Sequence, residues 1–279
     1  MITPQVSTFH PLGTLERVID LYKPILEEVE DKTMVKDKNS RLRLFGLLWL
    51  AGMAGVMTLG LLPLPLLPEG APPAAVVRLL MLVQPTVLVS VAVLIGVLLT
   101  PQLGLMAPGA EALAVGRSWR KAMVPRLLPG VVGGLISGGL LTAIALLSRP
   151  LLPPAYGAAE PTPLLVRFLY GGITEEILIR WGLMTLLLWL GWRFGQQRQG
   201  KPQTRWVVVA IAVSSLVFAM AHLPYAIALG LPLTPPLLGF LLIQNSLFAV
   251  VAGYLFWRYG LETAIIAHLI VHAVLALIG

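Results

Sequence analysis

The 279-residue chain has no cysteine, which excludes disulfide staples, thiol nucleophiles and thiolate metal sites. Charge is scarce too. Only 12% of residues are Asp, Glu, Lys or Arg, against roughly 25% in a soluble globular domain. The motifs of several protease chemistries are also missing: no GxSxG serine elbow, no GxGD aspartate pair and no HExxH zinc helix. No cleavable leader is expected, because the first apolar run starts only near Leu44, behind a mixed-polar N-terminus.

What the chain does contain is apolar: 57% of it is hydrophobic. The charges are unevenly placed. Residues 1–43 hold seven Lys/Arg and seven Asp/Glu, whereas long stretches downstream hold none. Apolar runs of about 18 residues or more read as membrane spans. Seven are expected, at about 44–62, 79–99, 127–148, 164–192, 206–229, 237–257 and 261–278. The segment 102–115 is apolar but contains Pro108 and Glu111, so it reads as a re-entrant or interfacial piece, or as an eighth span. The fold class is therefore an all-α polytopic bundle of seven to eight spans. Three regions are expected: a polar head (1–43), the first transmembrane helices (44–148) and a C-terminal core (164–279). In the head, Leu15, Val18, Ile19, Tyr22, Leu26 and Val29 recur at helical spacing, which predicts an amphipathic helix bent near Pro24.

The net charge of +7 does not indicate a nucleic-acid partner, because the cations lie between apolar runs, where membrane topology places them. With seven spans, sixteen Lys/Arg fall on one side. Arg78, Arg149 and Arg167 fall on the other. The positive-inside rule then predicts a cytosolic N-terminus, an external C-terminus and a multi-pass protein of the plasma membrane. Gly133, Gly134, Gly138 and Gly139 have GxxxG-like spacing and predict close helix packing. Trp181, Trp189, Trp192, Trp206 and Trp257 read as interface anchors or lipid-facing side chains.

A charge at the bilayer centre costs roughly 2.5–3.5 kcal/mol even on lenient scales, so ionisable groups inside spans point to function. Those well inside the spans are few: Glu175, Glu176 and Arg180 in the fourth, His222 in the fifth, and His268 and His272 in the seventh. Glu176 and Arg180 are four apart and can pair on one helix face. Glu175 lies about 100° round the helix and is left as the unpaired carboxylate, placed to accept a proton from water. His268 and His272 share a face in the same way. Gln244 and Asn245 in the sixth span read as helix-to-helix glue.

These residues fall in three ordered motifs: EEILIR from Glu175 to Arg180, FAMAH from Phe218 to His222, and a last helix with His268 followed four residues later by His272. The set resembles the CPBP (CAAX-processing and bacteriocin-processing) family, which includes the type II CAAX prenyl endopeptidases. The resemblance spans about residues 164–279. It implies intramembrane hydrolysis of a peptide bond in a membrane-associated substrate, CAAX-like and lipid-modified peptides included. Carried over, Glu175 activates water, His222 and His268 position it or shuttle protons, and His272 stabilises the oxyanion where the family often has Asn. Glu176, Arg180 and Phe218 support the site. The implied mechanism needs no cofactor. Zinc on His222, His268 and His272 is the alternative, since imidazoles with a carboxylate match catalytic zinc ligation. The expected partners are the lipid bilayer and a membrane-associated peptide or protein. Two non-enzymatic readings use the same residues: a transporter or proton relay, and a scaffold or immunity protein on a protease-like fold.

Overall fold

A computed structural model describes Val35 and residues 37–64, 72–158 and 162–278. The amphipathic helix expected within the head lies outside them. All regular structure among the described residues is helical, as hydrocarbon requires, because a helix satisfies its own backbone polar groups. The elements are α1 (Lys38–Leu61), α2 (Ala74–Leu103), α3 (Pro108–Ala114), α4 (Trp119–Leu151), α5 (Pro154–Ala158), α6 (Leu164–Gly195), α7 (Thr204–Met220), α8 (Leu223–Ala228), α9 (Pro235–Tyr259) and α10 (Leu261–Ile278). Six segments are long and apolar enough to cross a membrane (α1, α2, α4, α6, α7 with α8, and α9), and α10 is a shorter apolar helix. The chain is a multi-pass integral membrane protein.

Helix ends depart from the expected spans for identifiable reasons. α1 begins at Lys38, ahead of its apolar run, because Asp37 caps it: its carboxylate accepts from the Ser40 amide (2.9 Å) and the Ser40 hydroxyl (2.6 Å). The Ser40 hydroxyl, then its amide, hold the Asp37 carboxyl below the usual carboxylate range. α4 starts at Trp119, not near 127, and carries Pro125 and Pro129 inside it. Residues 102–115 do not cross the membrane. They end α2 and form the short helix α3, in which Pro108, Glu111 and Ala112 are buried.

α3 seals one end of the bundle. The Met106 carbonyl accepts from the Leu261 amide (3.0 Å), and Glu262 accepts from the Ala110 amide (2.8 Å). Glu111 accepts from the Ala107 amide (2.9 Å). Arg126, 2% exposed, donates to the Tyr259 carbonyl (2.9 Å) and the Ala122 carbonyl (2.6 Å). The tight reversal between α9 and α10 needs Gly260, whose φ is +98°.

The largest helix–helix interface joins α4 and α10. Its seam is a glycine stripe. A Cβ on Gly130, Gly134 or Gly138 would lie 2.8, 2.7 or 3.0 Å from Ile266, Ile270 or Val274. The close packing expected of the glycines is thus found at Gly134 and Gly138 against α10 and at Gly133 against α9, where a Cβ would lie 2.8 Å from Leu255. Gly139 faces open space, and Gly130 joins the stripe. Trp181 corrects the tryptophan reading. It is fully buried, edge-on to Phe256 at 6.4 Å, and packs so close to Gly96 that no side chain fits there. It is a core residue, not an anchor.

Candidate active site

α6 is not a plain α-helix. It is π-helical over Arg167–Thr174 and Ile177–Met184, with Glu175 and Glu176 between the two stretches. The Glu175 amide reaches back five residues to the Tyr170 carbonyl, and the Thr185 amide does the same to Arg180. Hydroxyls stabilise the wide turns. Thr174 donates to the Gly52 carbonyl of α1 (2.8 Å), and Thr185 donates to Arg180 (3.1 Å). Such turns recur at functional sites because they re-aim side chains within a helix.

The two neighbouring glutamates have different surroundings. Glu176 is fully buried and held twice, by Arg180 Nε at 3.1 Å from Oε2 and by His268 Nδ1 at 2.8 Å from Oε1. The expected Glu176–Arg180 pair is present. Arg180, 1% exposed, also donates to the Ala249 carbonyl of α9 (3.1 Å) and lies over the Phe218 ring at 5.1 Å. Glu175 is half-buried, and its carboxylate makes no hydrogen bond or ion pair among the described residues. It lines a cavity of about 1240 Å³.

His222, His268 and His272 line the same cavity. His222 does not sit mid-helix as expected. It occupies the turn between α7 and α8, two residues before Pro224. Its Nδ1 is 2.8 Å from the Phe218 carbonyl. A carbonyl only accepts, so Nδ1 carries the proton and Nε2 is left as an acceptor. The same reasoning applies to His268, whose Nδ1 donates to the Glu176 carboxylate. The His268 ring packs against Phe248 at 4.3 Å and stacks on His272 at 4.7 Å, 20° from parallel. Neither nitrogen of His272 has a partner among the described residues. Gly171 of α6 makes room for it: a Cβ there would lie 2.6 Å from His272 Nε2.

All four residues expected to carry the chemistry therefore reach one cavity, and Phe218, Glu176 and Arg180 form its supporting layer. Gln244 donates to Leu141 on α4 (3.3 Å), so it is interhelical glue as read, although it also lines the cavity. Asn245 departs from that reading, since it donates to Leu241 of its own helix (2.8 Å) and lines the cavity. Sequence reasoning did not single out Phe248, Tyr170 or Arg167. Phe248 was within reach, because it stands four residues after Gln244 on the inward face of α9. Among the described residues, no three of His, Asp and Glu are grouped so as to hold a metal ion.

Residues 158–274 match the family model described as Type II CAAX prenyl endopeptidase Rce1-like. No curated protein and no solved structure matches the chain. The matched segment contains all three motifs and every side chain of the site, and it supports CAAX-type intramembrane protease activity in general.

Proposed function

We propose that this membrane protein, Rce1-like over residues 158–274, hydrolyses a peptide bond of a membrane-associated polypeptide with water activated by Glu175. One observation carries the reading. Of two adjacent intramembrane glutamates, one is neutralised by Arg180 and His268, while the other is left without a partner in a cavity shared with three histidines.

Glu175 takes a proton from water as the water oxygen attacks the scissile carbonyl carbon. His222 and His268 each present Nε2 as an acceptor toward the cavity, and one such acceptor takes the hydrogen bond of the second water proton and so fixes the direction of attack. The carbonyl π pair moves to oxygen. The resulting oxyanion accepts a hydrogen bond from the N–H of His272, whose two nitrogens are free of protein partners. Glu175 then gives its proton to the leaving nitrogen as the C–N bond breaks, yielding a carboxylic acid, which still carries the second water proton, and an amine. Glu176 and Arg180 orient His268 without touching substrate. Water activation is proposed without a metal; zinc on the three histidines is the alternative that a chelator tests.

The test is cleavage of a library of fluorogenic apolar peptides by the purified protein in detergent. Activity that is present in the wild type and absent in Glu175→Gln is expected. Equal cleavage by both proteins overturns the assignment of the base.

A further inference from the structure

The cavity is lopsided along the membrane normal. Successive traverses gather the helix ends into two groups. One end holds Lys38, the α2–α4 connection, the α6–α7 connection and the α9–α10 turn. The other holds the α1–α2, α4–α6 and α8–α9 connections. The cavity wall includes Leu62, Tyr156, Thr162, Tyr225 and Leu231, all from connections at the second end or helix ends next to them. No described residue of 104–118, 196–203 or 259–262 lines it. Its deepest lining on α2 and α6 stops at Ile95 and Leu186, within the bundle.

The closed end is built to stay closed. α3 is folded under the helices and fastened by the Met106–Leu261, Ala110–Glu262 and Arg126–Tyr259 hydrogen bonds. Opening there would strip partners from buried polar groups, which is costly away from water. At the other end the wall is lighter among the described residues. Thr162 and Tyr225 meet through one exposed hydroxyl–hydroxyl contact of 2.9 Å. Between α2 and α7 the lining residues Leu88, Val91 and Val217 are 48%, 48% and 40% exposed, which leaves a lateral path toward lipid.

Charge marks which end is which. The closed end carries twelve of the described Lys/Arg, among them Lys38, Arg117, Arg198 and Arg258. The open end carries three: Arg78, Arg149 and Arg167. Lys/Arg-rich connections stay in the cytoplasm. We infer that the cavity opens on the non-cytoplasmic side of the membrane, so that the polypeptide it takes is a segment presented from that side or from that leaflet, not a tail that remains in the cytosol. The identity of that segment as substrate rests on the protease reading; the direction of opening does not.

The absence of cysteine makes the test direct, because each single substitution gives one thiol without background. Three variants suffice: Leu233→Cys at the open end, Lys201→Cys at the closed end and Asn245→Cys inside the cavity. Right-side-out and inside-out vesicles are treated with a membrane-impermeant methanethiosulfonate, then lysed and counter-labelled. Modification of Leu233→Cys and Asn245→Cys in right-side-out vesicles only, and of Lys201→Cys in inside-out vesicles only, is expected. The reverse pattern, or Asn245→Cys reached only from the Lys201 side, overturns the inference. The same vesicles then receive a fluorogenic apolar peptide. Glu175-dependent cleavage confined to right-side-out vesicles supports it, and cleavage confined to inside-out vesicles overturns it. If labelling follows the expected pattern but no Glu175-dependent cleavage occurs even in detergent, the protease reading falls while the direction of opening stands.

Discussion

Replacing Glu175 and Glu176 in turn by glutamine changes each side chain by one charge and almost no volume, yet the two outcomes should differ in kind. Glu176 makes two interactions with partners that carry or share charge, at 3.1 Å to Arg180 and 2.8 Å to His268, in full burial. The His268 hydrogen bond contributes about 1.5–3 kcal/mol, and the Arg180 contact adds a buried ion pair without a hydrogen bond at Oε2. An amide keeps the shape and can still accept one bond, so Glu176→Gln loses on the order of 2–4 kcal/mol, part of it from leaving the Arg180 guanidinium without its counter-charge. At roughly 2–4 °C per kcal/mol, unfolding should shift down by about 5–15 °C. Glu175 makes no hydrogen bond or ion pair among the described residues, only a longer-range attraction to Arg180 offset by repulsion from Glu176, so Glu175→Gln should unfold within about 0.5 kcal/mol of the wild type, or slightly above it. Activity should run the other way. Removing a general base costs about 10²–10⁴-fold, so Glu175→Gln is inactive though folded, while Glu176→Gln retains a fraction through a less constrained His268. Intrinsic-tryptophan thermal scans in detergent, paired with peptide cleavage, read both effects. A Glu175→Gln protein that melts as low as Glu176→Gln, or Glu176→Gln that melts like the wild type, refutes the division of roles.

His272→Leu should lower kcat by about 10²–10³-fold, the usual cost of one oxyanion donor, whereas His272→Asn, which keeps an N–H donor, should retain most activity; equal loss in both would remove His272 from that role. Gly171→Ala puts a methyl group 2.6 Å from His272 Nε2, so it should reduce kcat while leaving thermal unfolding nearly unchanged. Gly134→Leu drives a side chain into Ile270 on α10, and overpacking of this kind costs about 1–3 kcal/mol; a lower melting temperature together with lost cleavage is expected, since α10 carries both His268 and His272. Prolonged EDTA treatment should leave cleavage intact, and loss that zinc restores would favour the three-histidine metal site.

The sequence was most legible where the bilayer imposes a cost. Glu175, Glu176, Arg180, His222, His268 and His272 stand out because almost nothing else ionisable lies within the spans, and the structure brings them around one cavity and its supporting layer. The i, i+4 rule found the Glu176–Arg180 pair even though α6 is π-helical there, because a four-residue step keeps two side chains on adjoining turns in either helix. The π turns themselves left no trace in composition, since they depend on Thr174 bonding across to α1 and on Trp181 packing against Gly96. Trp181 was misread for the same reason: tryptophan suits both an interface and a tight core, and only the partner helix decides between them. Hydropathy could not place the start of α4, because Arg120, Lys121, Pro125 and Pro129 look like a loop until Arg126 finds the Tyr259 carbonyl. The helix break at His222 had a signal in Pro224, which cannot donate to the carbonyl four residues back.

The adjacency of the two glutamates is itself a device. Arg180 forms its ion pair with Glu176, and a guanidinium paired in that way with both carboxylates would hold both as permanent anions with no capacity to take up a proton. A step of about 100° around the helix separates them. Glu176 turns toward α9 and α10, where Arg180, His268 and the Ala249 carbonyl complete its surroundings. Glu175 lines the cavity, away from that ion pair. In the mechanism proposed above the same step links the two in function, because the His268 that Glu176 fixes is one of the imidazoles that position the water Glu175 activates. A swap built as Glu175→Gln with a new glutamate at Ile179 should fail to restore cleavage, since position 179, although it lines the cavity, lies almost a full turn farther along α6 from Arg167 and the open end.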